Sequence, residues 1–347
     1  MQQSLESDCF VLRNEKLINM KNTLDKLFEH QELSQQDAYN ILTRIGKGEF
    51  NPSQIAAFLT VYLMRNITVN EFSGFRNALL DLCLKVDLSD FNTIDVCGTG
   101  GDGKNTFNIS TLSAFVIAGA GYKVAKHGNY GVSSSCGSSN VLEFLGYKFT
   151  NDASVLKQQL AEGNFCMMHA PLFHPAMKNV APIRKELGIK TFFNMLGPLV
   201  NPSFPKNQLV GVFNLEIARI YNYLLQNSDT NYMILHSLDG YDEISLTGNF
   251  KVISNRGEAL LSPEKIGYTT QKQSDIFGGV TIKDSAKIFV KILEDEGTMQ
   301  QKNVVLANSS FAIHCLEPDL SLEECKAIAI ESIESGNAYK CLKGVLN

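Results

Sequence analysis

The sequence has no C-x-x-C pair among its eight cysteines, which are scattered from Cys9 to Cys341. That excludes the disulfide framework of a small secreted domain and a paired-cysteine structural zinc, and it fits a reduced, cytoplasmic compartment. Long apolar runs are also missing. None approaches the ~18 residues that a membrane-spanning helix requires. The opening M-Q-Q-S-L-E-S-D-C-F lacks the basic start and apolar centre of a signal peptide, so no membrane is expected. Positive charge is not in excess: thirty-one basic residues stand against thirty-six acidic, for a net charge of -5. The overall field therefore draws neither nucleic acid nor anionic lipid, and an anionic ligand must be held by a local site. Hydrolase and zinc signatures are absent too, since the sequence contains no G-x-S-x-G elbow, no H-x-x-x-H and no Cys/His cluster. His169 and His174, separated by Pro171 among others, read as core or loop histidines.

At 347 residues, with 44% apolar and 19% charged residues, the chain is of ordinary globular composition and long enough for two subdomains. Residues 1 to about 14 carry no pattern. From Glu15 the positions Leu17, Met20, Leu24, Leu27 and Phe28 recur at helical spacing. Ser34 with Asp37, Asn51 before Pro52, and Thr68 with Glu71 mark the starts of three further helices, the last ending near Cys83. Four helices with no strand between them make an all-helical unit. The third, Ile55 to Met64, is apolar nearly all round, which suits either a central core helix or a dimer surface.

From Thr93 the texture changes to strands, at Tyr122 to Ala125, Asn164 to Met168, Gln208 to Phe213 and Tyr232 to His236. Helices at 112–120, 138–145, 152–162 and 215–227 alternate with them. The expected class is α/β, with a small all-helical N-terminal domain and a larger α/β domain around a mainly parallel sheet. The helical pattern from Pro171 to Gly188 interrupts this alternation and is assigned to the helical unit. The expected domains are thus 1–90 with about 171–190, and 91–170 with 191–347.

The stretch that organises the chain is Thr93–Thr111, T-I-D-V-C-G-T-G-G-D-G-K-N-T-F-N-I-S-T. It reads as a buried strand, a loop with four glycines and a carboxylate, and a helix starting after Ser110 and Thr111. Strand, glycine loop and helix N-terminus together form a phosphate cradle. The dinucleotide fingerprint is rejected, because the helix starts late and Lys123 and Lys126 stand where the ribose-binding acid belongs. A Walker A loop is rejected because Asn105 replaces the magnesium-binding hydroxyl and Asp102 sets negative charge among the phosphates. A sugar phosphate with its counter-cation fits better.

Lys126-His127-Gly128-Asn129 follows a strand and precedes Ser133, Ser134, Ser135, Ser138 and Ser139, which resembles a second phosphate cradle. Arg184 alone reads as a solvated charge, but it suits a ligand carboxylate if there is one. Asp242 and Glu243 sit side by side after a strand. The Asp239-Gly240 turn would let them act together on Mg²⁺, while taken alone they read somewhat better as a solvated acidic turn.

In this order, G-T-G-G-D at 98–102, N-I-S-T at 108–111, K-H-G-N at 126–129, Arg184 through F-N-M-L-G-P-L-V-N-P, and D-E at 242–243 resemble the anthranilate phosphoribosyltransferase family. The similarity spans about 15 to 345. It implies a helical domain joined to an α/β domain, a homodimer, and transfer of the phosphoribosyl group of phosphoribosyl pyrophosphate to the amine of anthranilate in tryptophan synthesis. By position, Gly98, Gly101, Asp102, Thr106, Asn108, Ile109, Ser110 and Thr111 would bind phosphoribosyl pyrophosphate. So would Lys126, His127, Gly128, Asn129, Ser133, Ser134 and Ser138. Ser110, Asp242 and Glu243 match metal ligands, for two Mg²⁺ per monomer. Gly98, Asn129 and Arg184 match anthranilate contacts, and Lys126, Asn129 and Arg184 are the implied catalytic set. Tyr130-Gly131 stands where many members have Arg-Ala, and Asn140 replaces a common aspartate. A nucleoside phosphorylase of similar fold would not need the D-E pair, and a nucleic-acid-binding relative should show a basic face.

Overall fold

The computed structural model describes residues 19–131 and 136–346, so Ser133, Ser134 and the segment before Asn19 lie outside the described residues. The chain divides into two compact units, with one formed by the chain up to Leu82 together with Pro175–Phe192. The other is formed by Cys83–His174 together with the chain from Phe193 onward. The first division falls at 82 rather than 90 because the following segment already pairs with the α/β unit. Leu84 N–H donates to the Phe173 carbonyl at 2.8 Å and Val86 N–H to that of Pro202 at 3.0 Å.

In the helical unit the starts follow the capping residues. Asn19 caps the helix Met20–Phe28, accepting from Lys21 N–H at 2.9 Å, while Glu15 and Leu17 of the expected helix lie outside the described residues. Ser34 accepts from Asp37 N–H at 3.0 Å at the head of Gln35–Gly46, and Asn51 from Gln54 N–H at 2.9 Å ahead of Pro52–Met64. Thr68 and Glu71 exchange bonds at 3.3 and 3.0 Å at the start of Val69–Leu82. Glu71 does more than cap. Its buried carboxylate also accepts from Arg65, from Tyr62 Oη at 3.2 Å and from Leu33 N–H at 3.0 Å. Burial pushes its pKa up, but these bonds outweigh burial and hold it below the ordinary value. Pro52–Met64 buries Ile55, Phe58, Leu59, Val61 and Tyr62, and the rings of Phe58, Tyr62, Phe75 and Phe192 pack on one another. Leu63 and Met64 stay 46% and 81% exposed, an apolar end that the monomer does not cover.

The α/β unit is built on a seven-stranded sheet. Its strands are β1 Thr93–Gly98, β2 Lys123–Gly128, β3 Phe165–His169, β4 Asn207–Gly211, β5 Asn231–Ser237, β6 Phe250–Ser254 and β7 Gly257–Leu261. They lie in the order β3-β2-β1-β4-β5-β6-β7. The first five are parallel, and β6 and β7 add an antiparallel hairpin. That hairpin escapes the sequence reading because β7, G-E-A-L-L, is almost wholly exposed and shows no buried periodicity. Two helices pack on one face, Ile109–Gly119 and Met299–Leu316, with Leu112, Phe115, Ile313 and Ala312 among the fully buried residues. Ala125, Cys166 and Met168 pack under Leu156 and Leu160 in a second apolar cluster. Among the described residues no helix is long and apolar enough to cross a membrane. All five parallel strands point the same way, so the loops after β1, β2 and β5 leave from one edge, where α/β proteins take their ligands.

Candidate active site

The loop after β1 is shaped by backbone geometry before any side chain is considered. Gly100, Gly101 and Gly103 have φ of 62°, 77° and 73°, left-handed values that glycine adopts without penalty. Its far end is pinned by residues the sequence reading does not single out. Thr106 bridges Phe277, Gly278 N–H donates to the Asn105 carbonyl at 2.8 Å, and Asn105 Nδ2 donates to the Gly279 carbonyl at 2.8 Å. No periodicity marks Phe277–Gly279, and only the tertiary pairing reveals it.

The helix after this loop starts at Ile109 and not after Ser110 and Thr111, which lie in its first turn. Ser110 is not the cap. A carboxylate from elsewhere does that work: Glu243 Oε1 accepts from Ser110 N–H at 2.8 Å, while Asp242 Oδ2 accepts from Gly100 N–H at 2.6 Å. The turn at Asp239-Gly240, with Gly240 at φ 96°, carries the chain round so that both side chains reach the β1 loop. The solvated-turn alternative therefore fails, since Asp242 is buried and Glu243 half-buried. Gly98 and Gly211, in register on β1 and β4, leave room for this approach. A Cβ on Gly98 would lie 2.3 Å from Asp242 Oδ2, and one on Gly211 would lie 1.4 Å from the Asp242 carbonyl oxygen.

Burial pushes the Asp242 carboxyl well above the usual carboxylate range, and repulsion from Glu243 and Asp102 adds to the shift. Burial likewise pushes Glu243 up to about 7, against the Ser110 N–H bond, with Asp102 adding its share. Three mutually repelling carboxyl groups beside a glycine loop fit a divalent cation, which would stabilise the charge that burial opposes. Among the described residues no cluster of three or more His, Cys, Asp or Glu side chains forms a complete metal cage. An incomplete set suits Mg²⁺, which keeps waters and takes phosphate oxygens from its ligand.

The second segment runs further into the sheet than expected, because β2 continues to Gly128 and so contains Lys126 and His127. Lys126 is 2% exposed and its Nζ donates to the Val96 carbonyl. The His127 ring bonds the Gly197 carbonyl through Nδ1 at 3.1 Å, and its backbone N–H is taken by Asp95 Oδ1 at 3.1 Å. The His127 backbone N–H is thereby taken, whereas the Lys126 ammonium has three N–H donors, of which Val96 uses one. Burial pulls His127 down to about 3 and His174, whose ring centroid is 5.1 Å away, down to about 4, so both imidazoles are neutral at pH 7. The Nε2 atoms of both are buried without a hydrogen-bond partner. Asn129 holds the start of the next helix through its carbonyl, which accepts from Ser139 N–H at 3.2 Å and Ser138 Oγ at 3.3 Å. Asn108 Nδ2 ties the two loops together through the Cys136 carbonyl at 2.9 Å. Arg184 belongs to the helical unit, on Ala181–Leu187, where burial lowers its pKa.

The pattern of the glycosyl transferase family a/b domain matches residues 90–339, and that of its helical bundle domain matches 21–83. The anthranilate phosphoribosyltransferase of Flavobacterium psychrophilum is 63% identical over 324 residues, covering 93% of this chain and 98% of the relative. This chain belongs to the anthranilate phosphoribosyltransferase family. Two solved members share its fold. The Thermus thermophilus enzyme matches with a TM-score of 0.86 at 30% identity, over 93% of this chain and 98% of that one. The Saccharomyces cerevisiae enzyme, in complex with phosphoribosyl pyrophosphate and Mg, matches at 0.87 and 28%, over 94% and 96%. The positions where this member of the anthranilate phosphoribosyltransferase family departs from the usual pattern close one loop on itself. Asn140 Oδ1 accepts from both Gly131 and Gly137 N–H, at 2.9 and 3.0 Å, and Tyr130 Oη donates to Glu143 at 3.0 Å.

The glycine contacts generate a contrast that thermal melting can measure. Gly211→Ala drives a methyl into backbone and should lower stability by about 1–3 kcal/mol or more, the usual cost of overpacking. Gly98→Ala meets only the movable Asp242 side chain and should lower it less. Equal melting temperatures for the two variants would contradict this geometry.

Proposed function

We propose that this chain transfers the phosphoribosyl group of phosphoribosyl pyrophosphate to the amine of anthranilate, giving N-(5-phosphoribosyl)anthranilate and pyrophosphate in tryptophan biosynthesis. One observation carries this reading: Asp242 is joined to the Gly100 N–H of the glycine loop after β1 and Glu243 to the Ser110 N–H of the helix that follows it, in a chain 63% identical to a curated anthranilate phosphoribosyltransferase. The aromatic amine is a neutral nucleophile and needs no strong base. The protein's work is to position the two substrates and to neutralise the departing pyrophosphate. The loop N–H groups and the Lys126 ammonium act on the phosphates, with Asp102, Thr106 and Asn108 shaping the loop. Asp242, Glu243 and Ser110 would hold Mg²⁺, which would supply the charge that lets a polyanion sit beside carboxylates. We assign two ions per monomer from the family resemblance, with the phosphate oxygens of the substrate supplying the negative charge that Asp102, Asp242 and Glu243 alone do not.

Gly98, Asn129 and Arg184 are assigned to anthranilate, with Arg184 holding its carboxylate. A homodimer is assigned through the apolar Pro52–Met64 helix, supported by the exposure of Leu63 and Met64. A cytoplasmic setting is supported by seven free cysteines among the described residues.

The direct test is the fluorescence of anthranilate. It should fall only when phosphoribosyl pyrophosphate and Mg²⁺ are both present, and a steady signal from well-folded protein refutes the reading. Arg184→Ala should raise the anthranilate KM about tenfold or more, since a charged hydrogen bond is worth about 1.5–3 kcal/mol. The KM for phosphoribosyl pyrophosphate should move little, and equal shifts would remove Arg184 from this role. Asp242→Asn with Glu243→Gln keeps side-chain size while removing two charges. Titration at saturating substrates should show a much higher Mg²⁺ requirement or no turnover, whereas an unchanged optimum means the metal lies elsewhere. Sedimentation at micromolar concentration should give twice the chain mass, and a single-chain mass would rule out the dimer.

A further inference from the structure

The two central strands pair for only part of their length. β1 and β2 are in register at Thr93–Lys123 and Ile94–Val124, yet β1 stays paired with β4 as far as Gly98 and β2 with β3 as far as Gly128. Beyond Ile94 and Val124 the two strands stay side by side but their backbone ladder stops, on the side from which both candidate phosphate loops spring. Strand alternation identifies the backbone groups that face the unpaired stretch. Val124 N–H turns to β3 through the Asn164 carbonyl, so Ala125 and His127 turn towards β1; Thr99 N–H turns to the Gly211 carbonyl of β4, so Val96 turns towards β2.

Side chains satisfy all three of these groups. Asp95 Oδ1 accepts from His127 N–H at 3.1 Å, Asn201 Nδ2 donates to the Ala125 carbonyl at 2.9 Å, and Lys126 Nζ donates to the Val96 carbonyl. Asn201 Nδ2 also reaches Asp95 Oδ2 at 2.9 Å, and Asn201 Oδ1 is held by Ser203 N–H at 2.9 Å and Oγ at 2.8 Å. Asp95 is 0%, Lys126 2% and Asn201 4% exposed. A continued backbone ladder would satisfy the same groups without burying a carboxylate and an ammonium, which is costly. What the side-chain network adds is a fixed bridge between β1 and β2 in place of the ladder, with opposite charges contributed by the two strands.

We propose that Asp95 is a positioning residue for the transfer reaction. Its carboxylate takes the place of the backbone ladder between the carboxyl ends of β1 and β2, supplies the buried counter-charge for Lys126, and through His127 N–H sets where Lys126–Asn129 stands relative to the glycine loop. The inference rests on the phosphoribosyl-transfer reading, because it is the anionic substrate that this segment meets.

Asp95→Asn keeps the shape and removes the charge. It should raise the KM for phosphoribosyl pyrophosphate about tenfold, the scale of one charge-assisted bond, and leave the anthranilate KM within about twofold. Asn201→Ser, which loosens the bridge while keeping the charge, should give the same split with a smaller factor and serves if Asp95→Asn does not fold. A purely structural role predicts a lower melting temperature with both KM values unchanged or shifted together, and that result overturns the proposal. Calorimetric titration of phosphoribosyl pyrophosphate with Mg²⁺ separates the two claims. Wild-type protein that binds none refutes the functional reading, while wild-type binding with unchanged affinity in a folded Asp95→Asn refutes the inference.

Discussion

A carboxylate withdrawn from water has to be compensated, and the loop edge of this sheet is organised around two that are. Asp242 takes the Gly100 N–H and Glu243 takes the Ser110 N–H, so the chain after β5 is tied to the loop and helix after β1. These bonds are only partial compensation, because both carboxyl groups stay pushed up by burial and by Asp102, and Asp242 by Glu243 as well. The residual repulsion is what a divalent cation can relieve. The same constraint explains the glycines, since Gly98 and Gly211 have no side chain where Asp242 must pass.

A second buried charge system lies one strand away. Asp95 and Lys126 stand where β1 and β2 stop pairing, and with Asn201 they satisfy backbone groups that a ladder would otherwise use. Both systems serve the same end of the sheet. The first gathers the carboxylates that we assign to metal, and the other keeps an ammonium inside the protein at the end of β2. The histidines belong to neither. His127 and His174 are held neutral by burial, so they can offer hydrogen bonds but not charge.

The helical unit was legible in outline because its signals are local. Ser34, Asn51 and Thr68 cap helices through side chains three residues from their partners, and such contacts form wherever the chain is helical. The parallel strands were legible as short apolar runs between helices. β7 was not, being exposed and lacking alternation, and the start of the helix at Ile109 was misplaced because its first turn is capped by Glu243, 133 residues away in the chain. Phe277–Gly279, which pins the glycine loop, had no signal at all.

By itself the sequence determined which chemistry was available: a glycine loop ahead of a helix, a basic segment after a strand, and two adjacent carboxylates after another. Together these residues also marked the family. It could not determine the state of those groups, because ionisation depends on solvent exposure and on neighbours distant in the chain. Folding decided that Asp242 and Glu243 form a buried pair on backbone N–H groups and not a solvated turn. It decided equally that Lys126 lies inside the sheet. The physical reason is the same in each case. A side chain's chemical type is local, whereas its desolvation and its partners are set by which strands and loops the fold brings together.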